Sequence, residues 1–206
     1  MLVTDDRLVA GRDLVVLARA AEAGGASALQ LRLKSATGRE QVALARALIV
    51  ALRIPVLVND RPDVAVAAGA VGVHLGPDDL PVALARKSLP PGFIIGASVG
   101  SVAEAAAAAD ADYWGIGPWR VSSTKADAGE GLGPEGFASL AALAQGRPCV
   151  AIGGIRPEDV RQVHDAGGAG VAVVSGILGS EEVRAATASY ARAWPGPTSG
   201  RRGSGS

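Results

Sequence analysis

The segment Gln30-Leu31-Arg32-Leu33-Lys34 sets an amide and two cations at alternate positions, with leucines between them. Successive side chains of a strand point to opposite faces, so Gln30, Arg32 and Lys34 share one face and the leucines the other. The leucine face suits packing beneath helices. Two like charges on the opposite face call for an anion between them, and a diphosphate has the charge and the oxygens to satisfy both. The bland alternative is an edge strand with solvated charges, which a closed sheet does not offer.

Further candidates recur where β-branched runs end. Asn59-Asp60-Arg61 follows one such run, and Gly76-Pro77-Asp78-Asp79 follows the next. Either Asp could merely cap a helix or close a turn. Placed on adjacent strand ends, Asp60 and Asp79 would instead make a hard oxygen site for Mg²⁺, which takes one or two carboxylates and fills its shell with phosphate oxygens and water. Ser98 adds a small hydroxyl at another strand end. Ser122, Ser123, Thr124 and Lys125 lie in a Gly-containing loop. They read either as a phosphate cradle or as polar surface. Gly153-Gly154 and Val174-Ser175 close the last two runs, where glycines let backbone N–H groups approach an anion. His74 alternates inward on its run, Cys149 reads as a small buried hydrophobe, and His164 reads as a helix surface residue.

These positions follow from the order of the elements. Short β-branched runs begin near Leu2, Ala28, Pro55, Val71, Phe93, Tyr113, Cys149 and Gly170. The second runs from Ala28 to Lys34. Each is followed by an Ala/Leu/Arg/Glu stretch at helical spacing, the first from about Asp13 and the fourth from about Asp79. Regular alternation implies parallel strands joined by right-handed crossovers. Eight such units predict a single-domain α/β chain, a (β/α)8 TIM barrel over 1–194. The segment 195–206, polar and Gly/Ser-rich, reads as a disordered tail. In such a barrel, chemistry sits at the C-terminal strand ends, where the candidates fall.

Composition narrows the partners. Lys plus Arg and Asp plus Glu are 20 each, so no basic excess favours nucleic acid or an anionic membrane. No run approaches the ~20 apolar residues of a membrane span, and the lone Cys149 fits a reducing compartment. The expected setting is cytoplasmic, with small-molecule partners and a homo-oligomer left open. The 3 lysines and the single Asn are scarce, and Lys34, Lys125 and Asn59 all stand among the candidates.

Together these motifs resemble the thiamine-phosphate synthase family. The resemblance runs from about Met1 to Arg192. It is carried by Gln30-x-Arg32-x-Lys34, Asn59-Asp60, Gly72-Val73-His74-Leu75-Gly76 with Asp79, Gly117-Pro118, Ser122-x-Thr124-Lys125, Ile152-Gly153-Gly154-Ile155 and Val174-Ser175. It implies a (β/α)8 enzyme that joins hydroxymethylpyrimidine diphosphate to a thiazole phosphate and releases diphosphate. Arg32, Lys34, Asn59, Ser98 and Lys125 would hold the diphosphate, with Gln30 on the pyrimidine and Mg²⁺ on Asp60 and Asp79. Ser122, Thr124, Gly154, Val174 and Ser175 would hold the thiazole phosphate. The 30–34 and 122–125 segments as wholes are assigned to substrate, and Arg32, Lys34, Ser98 and Lys125 to catalysis.

The chain departs from the family pattern at Gly100, where a His is usual, and at Pro77, where a Gln is common. Arg120-Val121 replaces an aromatic-Pro pair, and Ser122 replaces a Thr. The thiazole tautomerase of the same superfamily is the nearest rival, but it carries a His where Pro118 stands. A non-catalytic phosphate-sensing barrel is the other, and it would not need paired carboxylates.

Overall fold

A computed structural model describes residues 1–120 and 131–196. The elements run β1 (Leu2–Val3), α1 (Asp6–Val9), α2 (Leu14–Ala23), β2 (Leu29–Leu31), α3 (Gly38–Ala51), β3 (Val56–Asn59), α4 (Pro62–Ala68), β4 (Gly72–Leu75) and α5 (Val82–Ser88). They continue with β5 (Ile94–Val99), α6 (Val102–Ala107), β6 (Tyr113–Ile116), α7 (Gly133–Ala141), β7 (Cys149–Ile152), α8 (Val160–Asp165), β8 (Gly170–Ala172), α9 (Ser175–Leu178) and α10 (Val183–Ala193). The strands form one parallel sheet in sequence order. It closes where Leu2 bridges Val173, with Val3 N donating to the Val173 carbonyl at 3.0 Å. The expected (β/α)8 barrel is therefore observed. Closure removes the edge-strand alternative for β2.

The alternation of each strand divides the core in two. Leu29, Leu31, Val58, Val73, Leu75, Ile95, Ala97, Trp114, Ile116 and Ala151 face outward into one continuous cluster beneath the helices. The helices meet them with matching stripes. In α3 the buried residues are Gln41, Ala45 and Leu48, spaced to fall on one side of the helix. Its start is fixed by a capping box: Thr37 Oγ1 accepts from Glu40 N at 3.3 Å, and Glu40 Oε2 accepts from Thr37 N at 2.7 Å. The other strand face looks into the barrel. There Gln30, Asn59 and His74 are buried polar residues, an expensive choice unless each is hydrogen-bonded.

Several boundaries differ from expectation. β2 stops at Leu31 instead of running to Lys34. Thr4 Oγ1 accepts from Arg32 N at 2.7 Å, and Asp6 Oδ2 accepts from Lys34 N at 2.8 Å, so side chains just after β1, the second of them opening α1, take the backbone groups a ladder would need. Arg32 and Lys34 consequently stand at the rim and not on the inner wall. Helix α5 begins at Val82 rather than Asp79, and the four-residue helices α1 and α9 are additional. The tail from 197 onward lies outside the described residues. Among the described residues, no helix is long and apolar enough to cross a membrane.

Candidate active site at the C-terminal mouth of the barrel

Asp60 and Asp79 occupy neighbouring strand ends. Neither caps a helix: α4 is preceded by Arg61 and α5 by Pro81, both without a side-chain cap bond. Asp60 instead adopts a left-handed backbone (φ 62°), with its N–H donating to the His74 carbonyl at 2.8 Å. A left-handed non-glycine is uncommon, and such geometry gathers at functional sites. The Asp60 carboxylate lies 3.6 Å from Lys34 Nζ. Asp79 Oδ2 accepts from Gly76 N at 2.6 Å, which aims that carboxylate back over the strand end.

The two carboxylates oppose each other. Burial and the adjacent Asp79 push the Asp60 carboxyl up to about 6, against a smaller downward pull from Lys34 and Arg32. A cation between them would remove the repulsion. Among the described residues no cluster of three or more His, Cys, Asp or Glu exists. Two hard carboxylates without further protein ligands fit Mg²⁺, which keeps water and phosphate in its shell, better than they fit zinc.

Below this rim Gln30 Nε2 donates to Asn59 Oδ1 at 2.7 Å. That bond occupies the Asn59 oxygen and leaves its NH₂ group as the donor that a ligand at the mouth could meet. Arg32 pairs with Asp5 at 3.6 Å, and both are about one-third exposed. Ser98 is half-buried on β5, 3.0 Å from His74 Nε2. The structure thus gathers Gln30, Arg32, Lys34, Asn59, Asp60, Asp79 and Ser98 on the β2–β5 side. Leu31 and Leu33 are different: their side chains lie in the helix-facing cluster, so only their backbone can reach the mouth.

The β7–β8 side is built from backbone. Gly153 (φ 96°) and Gly154 (φ 69°) turn the chain after β7, and a Cβ on Gly153 would meet Pro118 at 2.8 Å. Gly154 is exposed, as is Ser175, which opens α9; Val174 is half-buried just before it. Ser122, Ser123, Thr124 and Lys125 lie outside the described residues. Arg120, one of the departures, makes a paired contact with the buried carboxylate of Asp159, and its side chain lies against Gly154. Burial raises the Asp159 carboxyl, but bonds from Arg120 and Arg156 N outweigh it and hold the group below its ordinary range.

Sequence reasoning missed Thr4, Asp5 and Asp6, which fix the Arg32–Lys34 segment. Their signal was three polar residues directly after the first apolar run. It also missed the Arg120–Asp159 pair and the contact of Tyr113 with His74. His74 does face the interior, Cys149 is buried, and His164 sits on the surface edge-on to Trp194.

The sequence and the fold both resemble those of known proteins. The pattern described as thiamine monophosphate synthase matches residues 1–177. The chain belongs to this family. It is 48% identical over 193 residues to the thiamine-phosphate synthase of Methanoculleus marisnigri, covering 91% of each chain. It is 49% identical over 187 residues to that of Azorhizobium caulinodans, covering 88% of each. A solved structure of thiamine phosphate pyrophosphorylase from Pyrococcus furiosus superposes with a TM-score of 0.81 at 38% identity, over 93% of both chains.

Proposed function

We propose that this member of the family joins hydroxymethylpyrimidine diphosphate to a thiazole phosphate, forming thiamine phosphate and releasing diphosphate. The observation that carries the reading is the rim where Lys34, Asp60 and Asp79 converge above the Gln30–Asn59 pair. Cations beside mutually repelling carboxylates have no evident purpose in the fold. They match the needs of a leaving diphosphate and its metal.

The chemistry asked of the residues is positioning and charge stabilisation. The C–O bond to the diphosphate breaks, the bonding electrons leave with the diphosphate, and the thiazole nitrogen supplies the pair for the new C–N bond. Lys34, Arg32 and the Asn59 amide would donate to the oxygens on which that charge collects. Gln30, held by Asn59, would orient the pyrimidine against them. Asp60 and Asp79 would hold Mg²⁺, which supplies further neutralisation of the departing diphosphate. Gly154, Val174 and Ser175 would anchor the thiazole phosphate, with Ser122, Thr124 and Lys125 completing the two anion sites. No covalent nucleophile is required.

Incubation of the protein with both substrates, with and without Mg²⁺, tests this directly. Metal-dependent thiamine phosphate is expected. No product at any Mg²⁺ concentration would sink the reading.

A further inference from the structure

Three polar side chains run in line through the barrel interior, and only the last, Ser98, is among the residues that the family resemblance assigns to the diphosphate. The Tyr113 hydroxyl is 2.9 Å from His74 Nδ1, and His74 Nε2 is 3.0 Å from Ser98 Oγ. The residues come from β6, β4 and β5. The rings of Tyr113 and His74 are 5.5 Å apart between centroids. The wall is thinned to admit them. A methyl group on Gly96 would fall within the Tyr113 ring, and one on Gly115 would stand 3.0 Å from His74 Cε1. Glycine inside a strand weakens it, so these two positions trade strand stability for space.

A neutral imidazole donates from one nitrogen and accepts at the other, and its partners decide which. His74 is buried, and both of its ring nitrogens face hydroxyl groups, so a neutral ring that accepts at one nitrogen and donates from the other satisfies the line. Among the described residues, His74 Nδ1 is the single hydrogen-bond partner of the Tyr113 hydroxyl. A phenol that gives its proton to Nδ1 leaves the ring proton on Nε2, directed at Ser98 Oγ, the half-buried end of the line. An oxygen that accepts on its inner side has its own proton free to turn outward. The opposite tautomer would draw the Ser98 proton inward, strand the phenol proton and face serine lone pairs toward the mouth.

We propose that His74 is a positioning residue: it accepts from Tyr113, donates to Ser98, and so presents the Ser98 hydroxyl to the barrel mouth as a donor for a diphosphate oxygen. The anion half of this statement rests on the function proposed above. The tautomer half stands without it.

Nitrogen-15 NMR of the histidine side chains reads the tautomer in the ligand-free protein. The chain has only His74 and His164, so a His164→Asn variant assigns the signals. A bare Nδ1 and protonated Nε2 are expected for His74 at neutral pH, and a mixture in Tyr113→Phe. A protonated Nδ1 in the wild type overturns the relay. Calorimetry with inorganic diphosphate and Mg²⁺ supplies the second arm. Tyr113→Phe loses one oxygen, and its urea midpoint verifies folding. It should weaken binding about tenfold, as for one hydrogen bond to a charged group. In a Ser98→Ala background the same change should do nothing further, and full additivity overturns the proposal. His74→Gln can set an N–H near the Nε2 position and should retain more affinity than His74→Ala; equal loss also overturns it. A wild-type chain with the Nε2–H tautomer that binds no diphosphate refutes the anion half and the proposed function together. The reverse tautomer with intact binding refutes the relay alone.

Discussion

Asp60→Asn should stabilise the metal-free protein while abolishing its turnover. Raising this carboxyl from 3.8 to about 6 means that ionised Asp60 disfavours the folded state. The full conversion is about 3 kcal/mol, at roughly 1.4 kcal/mol per tenfold change. Its side chain is 26% exposed, and solvent screening brings the expectation to about 2 kcal/mol. The folded group binds its proton more tightly than the unfolded one. The cost is thus complete above the folded value near 6 and vanishes as pH falls below 3.8. Asparagine carries no charge and tolerates the left-handed backbone at this position (φ 62°). It leaves Lys34 unpaired, but that side chain is 61% exposed and loses little. Urea unfolding in chelator, followed by circular dichroism across pH, measures the difference between the two proteins. Above pH 7 the variant should lead by about 2 kcal/mol, or roughly 4–8 °C in Tm for a domain of this size. The lead should disappear by pH 4. Saturating Mg²⁺ should stabilise the wild type and leave the variant unmoved. A variant no more stable than the wild type above pH 7, or equally ahead at pH 4, would refute the reasoning.

Other substitutions separate chemistry from fold. Lys34→Ala removes an exposed rim cation, so turnover should fall about 100-fold while the urea midpoint shifts by less than about 0.5 kcal/mol. Gly96→Ala drives a methyl into the Tyr113 ring and should cost about 1–3 kcal/mol of stability, read by the same unfolding curves. His74 is pushed down to about 4 by burial, so its contribution is present above the ordinary histidine value of 6.5 and lost as pH falls toward 4. That loss should be about 3 kcal/mol; His74→Gln should lack it, so the wild-type-minus-variant stability difference should fall by about that amount between pH 6.5 and 4.

The barrel was legible because each unit switches cleanly from a β-branched run to a helical stripe. The end of β2 was not, because the leucine alternation continues through Leu33 while the backbone leaves the ladder. What ends the strand is Thr4 and Asp6, some 28 residues earlier, and no local pattern carries that. Helices α1 and α9 have four residues each, too few for periodicity to register. At the site, Gln30, Asn59, Asp60 and Asp79 could be read because strand ends concentrate polar residues that the core would refuse. The Tyr113–His74–Ser98 line could not. It depends on register between β4, β5 and β6, where His74 stands beside Gly96 and Ser98 beside Gly115. Spacing along the chain does not encode that register. Ser122 to Lys125, which the family resemblance assigned to phosphate, fall outside the described residues.

Gly96 and Gly115 also decide what can fill the barrel's centre. Where a barrel of this fold ordinarily packs branched aliphatic side chains there, two missing side chains make room for one phenol and one imidazole. The interior beside Ser98 is therefore held by hydrogen-bonding rings whose positions depend on single methyl groups. Adding a methyl at either glycine would displace a ring of the line before any residue at the rim is touched.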